Sequence, residues 1–189
     1  MTEYIVGKVS NNEKVSSNCV YVKSKKLDYL EVNYNGKIGI FKVFEDISIE
    51  QNQICFNTFQ RTLLNSALGT KINAIPMSNG LMKSLNSITF LASNLYPKNN
   101  RVIEITDEVI DMIKEDLVGI PIQSNLKLIG YQKKLSLVPI DLDISVINSI
   151  ITLETEIKII STDKTIIIET SDTKEFFGEV QDLIKKLEC

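Results

Sequence analysis

The chain has 189 residues, 43% of them hydrophobic and 24% charged, with a formal net charge of −3 and no histidine. That balance supports a packed core and argues against both a disordered chain and a general nucleic-acid binder. The missing histidine removes the commonest general base at neutral pH and the commonest metal ligand together.

No apolar run approaches the roughly 20 residues that a transmembrane helix needs. The first residues, MTEYIVGKVSNNEK, show no basic region leading into an apolar one, so no secretory signal is expected. Three widely spaced cysteines, Cys19, Cys55 and Cys189, match no zinc spacing. A reduced, cytoplasmic chain is the expectation, with Cys19 and Cys55 as buried, inert thiols in apolar strand contexts.

Chain order gives β structure first. NCVYV (18–22) reads as a short strand, and DYLEVNY-NG-KIGIFKVF as a long hairpin turning on Asn35-Gly36. That dipeptide favours a type I′ turn because both central residues need positive φ. Leu30, Val32 and Tyr34 mark one face, with Ile38 and Ile40 in phase on the return strand. Phe41 and Val43 fall one residue out of step, which predicts a bulge near Gly39 to Phe41. Next come a strand over 54–59, a turn carrying Arg61, and a strand over 71–75 ended by Pro76. PMSNG (76–80) then marks a break between two parts.

The second part is mixed. SITFL (87–91) suits a strand. Thr106 caps a helix over 107–118 whose apolar positions are Val109, Ile110, Ile113 and Leu117, and Gly119 and Pro121 stop it. Strand runs follow at 125–131, 135–144, 152–160 and 164–170. The tail has Asp172 as cap and Phe176, Val180, Leu183, Ile184 and Leu187 along one stripe, predicting an amphipathic helix over 172–188.

Catalytic patterns are missing. The sequence contains no G-x-x-x-x-G-K-[ST], no G-x-G-x-x-G and no G-x-S-x-G. Asp141 and Asp143 alternate along one strand and read as its solvated face. Glu104, Asp107, Glu108, Asp111, Glu115 and Asp116 form the wet side of the 107–118 region. Arg61 differs from the other cations. A turn arginine can bond its own carbonyls, yet its planar fork also suits capture of a partner's carboxylate.

NCVYV, the long hairpin, ICFNTFQRTLLNSALGTKINAIP and VGIPIQSNLKLIGYQKKLSLVPIDLDI together resemble the N-terminal domain of the N-ethylmaleimide-sensitive fusion ATPase (NSF) family. More distantly they are similar to the N domain of valosin-containing protein. The resemblance implies a double-psi β-barrel over residues 1–78 and an α+β subdomain over 82–170; residues 171–189, the C-terminal amphipathic helix read from the sequence, are not part of the family's pattern. It implies a non-catalytic, cofactor-free module that docks an acidic adaptor, such as a soluble NSF attachment protein (SNAP), at a groove between the subdomains. Hexamers follow only where such a domain is fused to ATPase rings. Arg61 falls on the family's barrel-closing arginine and Lys8 on its N-terminal basic position. Ser93 and Asn94 stand where the family has a lysine pair, and Lys98 and Arg101 are the nearby cations that could replace it. A stand-alone relative that diverts adaptors, and a double-psi barrel enzyme, are the alternatives.

Overall fold

The computed structural model describes residues 1–9, 14, 17–97, 102–124, 126–140 and 148–170. The predicted helix over 172–188, Asp141, Asp143 and Cys189 lie outside the described residues. The fold is mainly β: a closed six-stranded barrel followed by an α/β part.

The barrel strands are β1 (Thr2–Lys8), β2 (Val20–Val22), β3 (Tyr29–Tyr34), β4 (Lys37–Glu45), β5 (Gln53–Phe56) and β6 (Lys71–Met77). Around the ring they run β1-β5-β2-β4-β3-β6. β1·β5 and β2·β4 are parallel, and the other four seams are antiparallel. Exchanging each of the first three strands with the strand three places later reproduces the same ring and the same parallel seams. β1 and β4 behave alike in a second way. The first part of each pairs antiparallel with one neighbour and its end pairs parallel with another.

The hairpin turns where expected, with φ 51° at Asn35 and 77° at Gly36. The bulge is not there, because β3 and β4 keep one register from Tyr29↔Lys42 to Tyr34↔Lys37. The out-of-phase apolar residues have another cause: both faces of β4 are covered. Phe41 and Val43 enter the barrel core with Leu30 and Val32, while Ile40 packs outward with Tyr29 and Met77. Pro76 does not end β6 either. It pairs with Leu30, past the point where the β1·β6 pairing stops, so it can sit in the strand without breaking that seam.

Between β5 and β6 the chain forms α1 (Thr58–Leu64) rather than a turn. After a 3-10 turn at Asn79–Leu81 come β7 (Lys83–Ser84), β8 (Ser87–Asn94), β9 (Ile103–Ile105) and α2 (Asp107–Leu117). Then follow β10 (Pro121–Ile122), β11 (Leu128–Gly130), β12 (Leu135–Ile140), β13 (Ser149–Ile150), β14 (Glu156–Ser161) and β15 (Ile166–Ile168). They make sheets β10-β13-β7, β11-β12-β8-β14 and β15-β9. α2 is capped by Thr106 as its sequence requires, and buries Val109, Ile113 and Leu117 in the second core. β1, β9 and the two-residue strands carry no turn-bounded alternating signal of their own.

Among the described residues, four side chains tie the two parts together by hydrogen bonds. Asn18 donates Nδ2 to the Ile129 carbonyl (2.7 Å) and accepts the Ile129 N–H at Oδ1 (2.8 Å). Gln123 does the same to Ile40, with Nε2 to the carbonyl at 2.7 Å and the Ile40 N–H to Oε1 at 2.9 Å. Each carboxamide therefore stands in for a strand residue. Asn18 covers the outer edge of β11, and Gln123 covers the stretch of β4 that precedes its pairing with β2. Lys42 and Tyr29 complete the junction by donating to the Val118 and Gly119 carbonyls, at 3.0 and 2.9 Å, just past the end of α2. An ammonium there complements the negative end of the helix dipole. Gly119 suits the position because its φ is +73°, a conformation that residues with a Cβ rarely adopt.

Asn18→Leu or Gln123→Leu leaves a backbone N–H and C=O without a partner. Each should lower unfolding stability by about 1–3 kcal/mol, measured by chemical denaturation. An unchanged midpoint and slope in both variants would show that the carboxamides do not hold the junction.

Candidate functional site

Arg61 sits on a helix held firmly at both ends. α1 is only seven residues long, too short to persist alone, and it is fixed at both ends. Asn57 and Gln60 form a reciprocal capping box, with Gln60 N–H to Asn57 Oδ1 at 2.9 Å and Asn57 N–H to Gln60 Oε1 at 2.8 Å. Asn57 also donates Nδ2 to the Ser17 carbonyl at 2.7 Å. At the other end Asn65 takes a left-handed conformation (φ 53°), and the Ser66 N–H returns to the Arg61 carbonyl at 3.0 Å. Leu64 is wholly buried in the barrel core, and Leu63 packs against the cores of both parts.

Arg61 is held half-buried on this helix. Its Nη2 reaches Thr58 Oγ1 at 3.4 Å, a long contact, and its Nη1 is covered without a hydrogen-bond partner. No carboxylate among the described residues forms an ion pair with it. Gln60 Nε2 and Ser66 Oγ, also on or just after α1, are likewise buried without partners. The sequence placed the arginine between the two strands but missed the helix. The Asn57…Gln60 box is the signal that could have revealed it.

Lys8 is elsewhere. It ends β1, opposite Phe56, and lines a small cleft of about 190 Å³ with Lys14, Tyr21, Asp46 and Glu50. Arg61 does not line that cleft. Asp46 organises it, accepting from Lys14 Nζ and from both the N–H and Oγ of Ser48, at 3.1 and 2.7 Å. The Lys14 bond, then those of Ser48, hold the Asp46 carboxyl down at about 2, and Lys14 also stands 5.5 Å from the Tyr21 ring centre. Ser93 and Asn94 lie on β8, opposite Ser136 and Leu135. Lys98 and Arg101 lie outside the described residues.

A larger cleft, about 580 Å³, belongs to the second part and was not expected from sequence. Val102, Ile103, Glu104, Tyr96, Tyr131 and Lys134 line it. Tyr131, Gln132 and Lys133 all have positive φ (50°, 51° and 65°), an uncommon run for residues with a Cβ. Lys134 Nζ sits 4.6 Å from the Tyr131 ring centre.

Burial raises the Cys19 and Cys55 thiols above their ordinary value, which fits packing rather than reactivity. Among the described residues no three His, Cys, Asp or Glu side chains gather as metal ligands, and no helix is long and apolar enough to cross a membrane. No family model and no curated protein sequence matches the chain.

Asp46 gives this region a pH dependence of known sign. Its folded-state pKa, about 2, lies below its ordinary 3.8. The stabilisation is complete above the ordinary value and is lost as pH falls through the folded one. Thermal unfolding followed from pH 5 downward should therefore show an acid-side decline that Asp46→Asn makes shallower; an identical decline in both proteins would assign it to other groups.

Proposed function

We propose that this chain is a non-catalytic protein-docking module of the type found at the N-terminus of the NSF family, and that it takes an acidic adaptor such as a SNAP. The observation that carries the reading is the Arg61 guanidinium, fixed on a doubly capped helix with one nitrogen buried and unpartnered. Arginine's rigid fork matches a carboxylate bidentately, and such a pair is worth most where water is partly excluded. Nη1 itself is closed off, so a partner carboxylate would meet the guanidinium on its accessible side, where no carboxylate of the described residues pairs with it. Because α1 is ordered before the partner arrives, little side-chain freedom remains to be lost on association.

The barrel supports the same reading. A ring unchanged when each strand is exchanged with the one three places later is the pairing expected of a double-psi barrel, two interlocked three-strand units. The family's two-part arrangement, barrel followed by α+β subdomain, corresponds to the order of the elements here. In this reading apolar contacts with the partner supply affinity while Arg61 supplies register and on-rate. Lys8, on a separate cleft, contributes to the long-range field, and Lys98 and Arg101 remain candidates for the family's second basic point.

The test is a pull-down and a kinetic titration with a purified SNAP. Arg61→Ala should leave the melting temperature unchanged and weaken binding about tenfold or more, as expected for a charge-assisted bond. Arg61→Glu should weaken it further, and raising salt should slow association. A fall in melting temperature with unchanged binding per folded molecule would make Arg61 a structural residue. Absence of binding by the unaltered chain would refute the proposed partner.

A further inference from the structure

β9 has one strand neighbour, β15, among the described residues. The hydrogen bonds that define the pair fix which way each of its peptides faces. Ile103 N–H goes to the Thr165 carbonyl, and the Ile105 carbonyl accepts the Glu169 N–H, both at 2.8 Å. The odd residues therefore face β15, and Glu104, between them, turns its N–H and C=O to the opposite side. Ile103 and Ile105 point into the core and Glu104 is exposed. Ile103 and Glu104, whose side chains lie on opposite faces of the strand, nevertheless both line the 580 Å³ cleft, and no β15 residue does. The cleft therefore lies on the side of β9 away from β15, beside the outward-facing peptide of Glu104.

From this geometry we propose that the cleft is a docking site for an extended peptide, which joins the outer edge of β9 as an added strand. An unpaired strand edge offers main-chain bonds to such a segment, and pockets for alternate side chains give specificity. The apolar contacts are Val102 and Tyr96, 58% and 52% exposed, with Val109 deeper in the cleft. Charge selects the sequence. Glu104 has no ion-pair partner among the described residues, and Glu108 follows in the first turn of α2. Lys134 is placed against Tyr131 instead. The fitting partner is therefore a β-prone segment with a lysine or arginine across from Glu104, flanked by small branched apolar residues. This surface is separate from the Arg61 site and does not depend on the function proposed for it.

The full chain, isotopically labelled, tests this by NMR with the peptide acetyl-Thr-Val-Lys-Val-Thr-amide and its backbone N-methylated form. In the free protein the Glu104 amide should exchange with solvent much faster than those of Ile103 and Ile105. The unmodified peptide, at roughly millimolar concentration, should shift Val102 to Thr106 and slow exchange at Glu104. N-methylation should weaken binding about tenfold, because it removes the ladder donors while keeping every side chain. Glu104→Pro should do likewise, since that N–H serves no bond to β15, and the N-methylated peptide gives the same answer should the variant fail to fold. A Glu104 amide already as protected as Ile105 in the free chain, equal binding of the two peptides, or no shifts at β9 would each overturn the proposal.

Discussion

A peptide group taken out of water needs a partner, and this fold meets that demand at its junction with two side-chain carboxamides. β4 cannot be paired along its whole length by strands, since its parallel partner β2 is only three residues long. β11 is an edge strand facing the barrel rather than solvent. Asn18 and Gln123 are suited to these gaps because a primary amide carries the same donor and acceptor, side by side, as a peptide. Each bond contributes little net, but each prevents an unpaired backbone group, which costs more. The constraint also sets orientation. A carboxamide pairing with both N–H and C=O of one residue fixes distance and angle together, so the barrel and the second part meet in one defined way.

The rest of the junction is arranged around those two points. Lys42 and Tyr29 reach the carbonyls past the end of α2, where Gly119 takes its positive φ. Tyr29, Ile40 and Met77 bury apolar surface beside them, with Met82 and Ile150 packed against that group. Cys19 leaves the barrel's own core for that of the second part. Polar contacts set the register and apolar ones supply most of the free energy of burial.

Much of this was legible in the sequence, for identifiable reasons. Asn35-Gly36 announced its hairpin because few dipeptides tolerate two positive φ values. Thr106 and the spacing of Val109, Ile113 and Leu117 announced α2 because capping and periodicity agreed. The misreadings have a common origin, which is tertiary cover. Phe41 and Val43 looked out of phase with Ile40 because both faces of β4 are covered, one by the barrel core and the other by Tyr29 and Met77. Pro76 looked like a stop until it was seen beyond the reach of β1. Strands as short as β7, β10 and β13 have no local signature; they exist because their partners are brought to them. The arginine of the candidate site was legible as a residue type, whereas its helix depended on a polar capping box easily taken for a loop.

Arg61 and the junction are linked by a short stretch of chain. Asn18 pairs with Ile129, and its neighbour Ser17 accepts the Asn57 amide through its carbonyl while its hydroxyl accepts the Cys19 N–H. Asn57 in turn caps the helix that carries Arg61, and Leu63 on that helix touches both cores. The segment Ser17–Cys19 thus serves two masters, the register between the parts and the start of α1. A buried guanidinium donor left without an acceptor is tolerable only where the surrounding backbone is over-determined, since otherwise the helix would turn to let the arginine find water or a carbonyl. The Asn57 bond to Ser17 therefore couples the segment that sets the register between the parts to the start of the helix that carries Arg61.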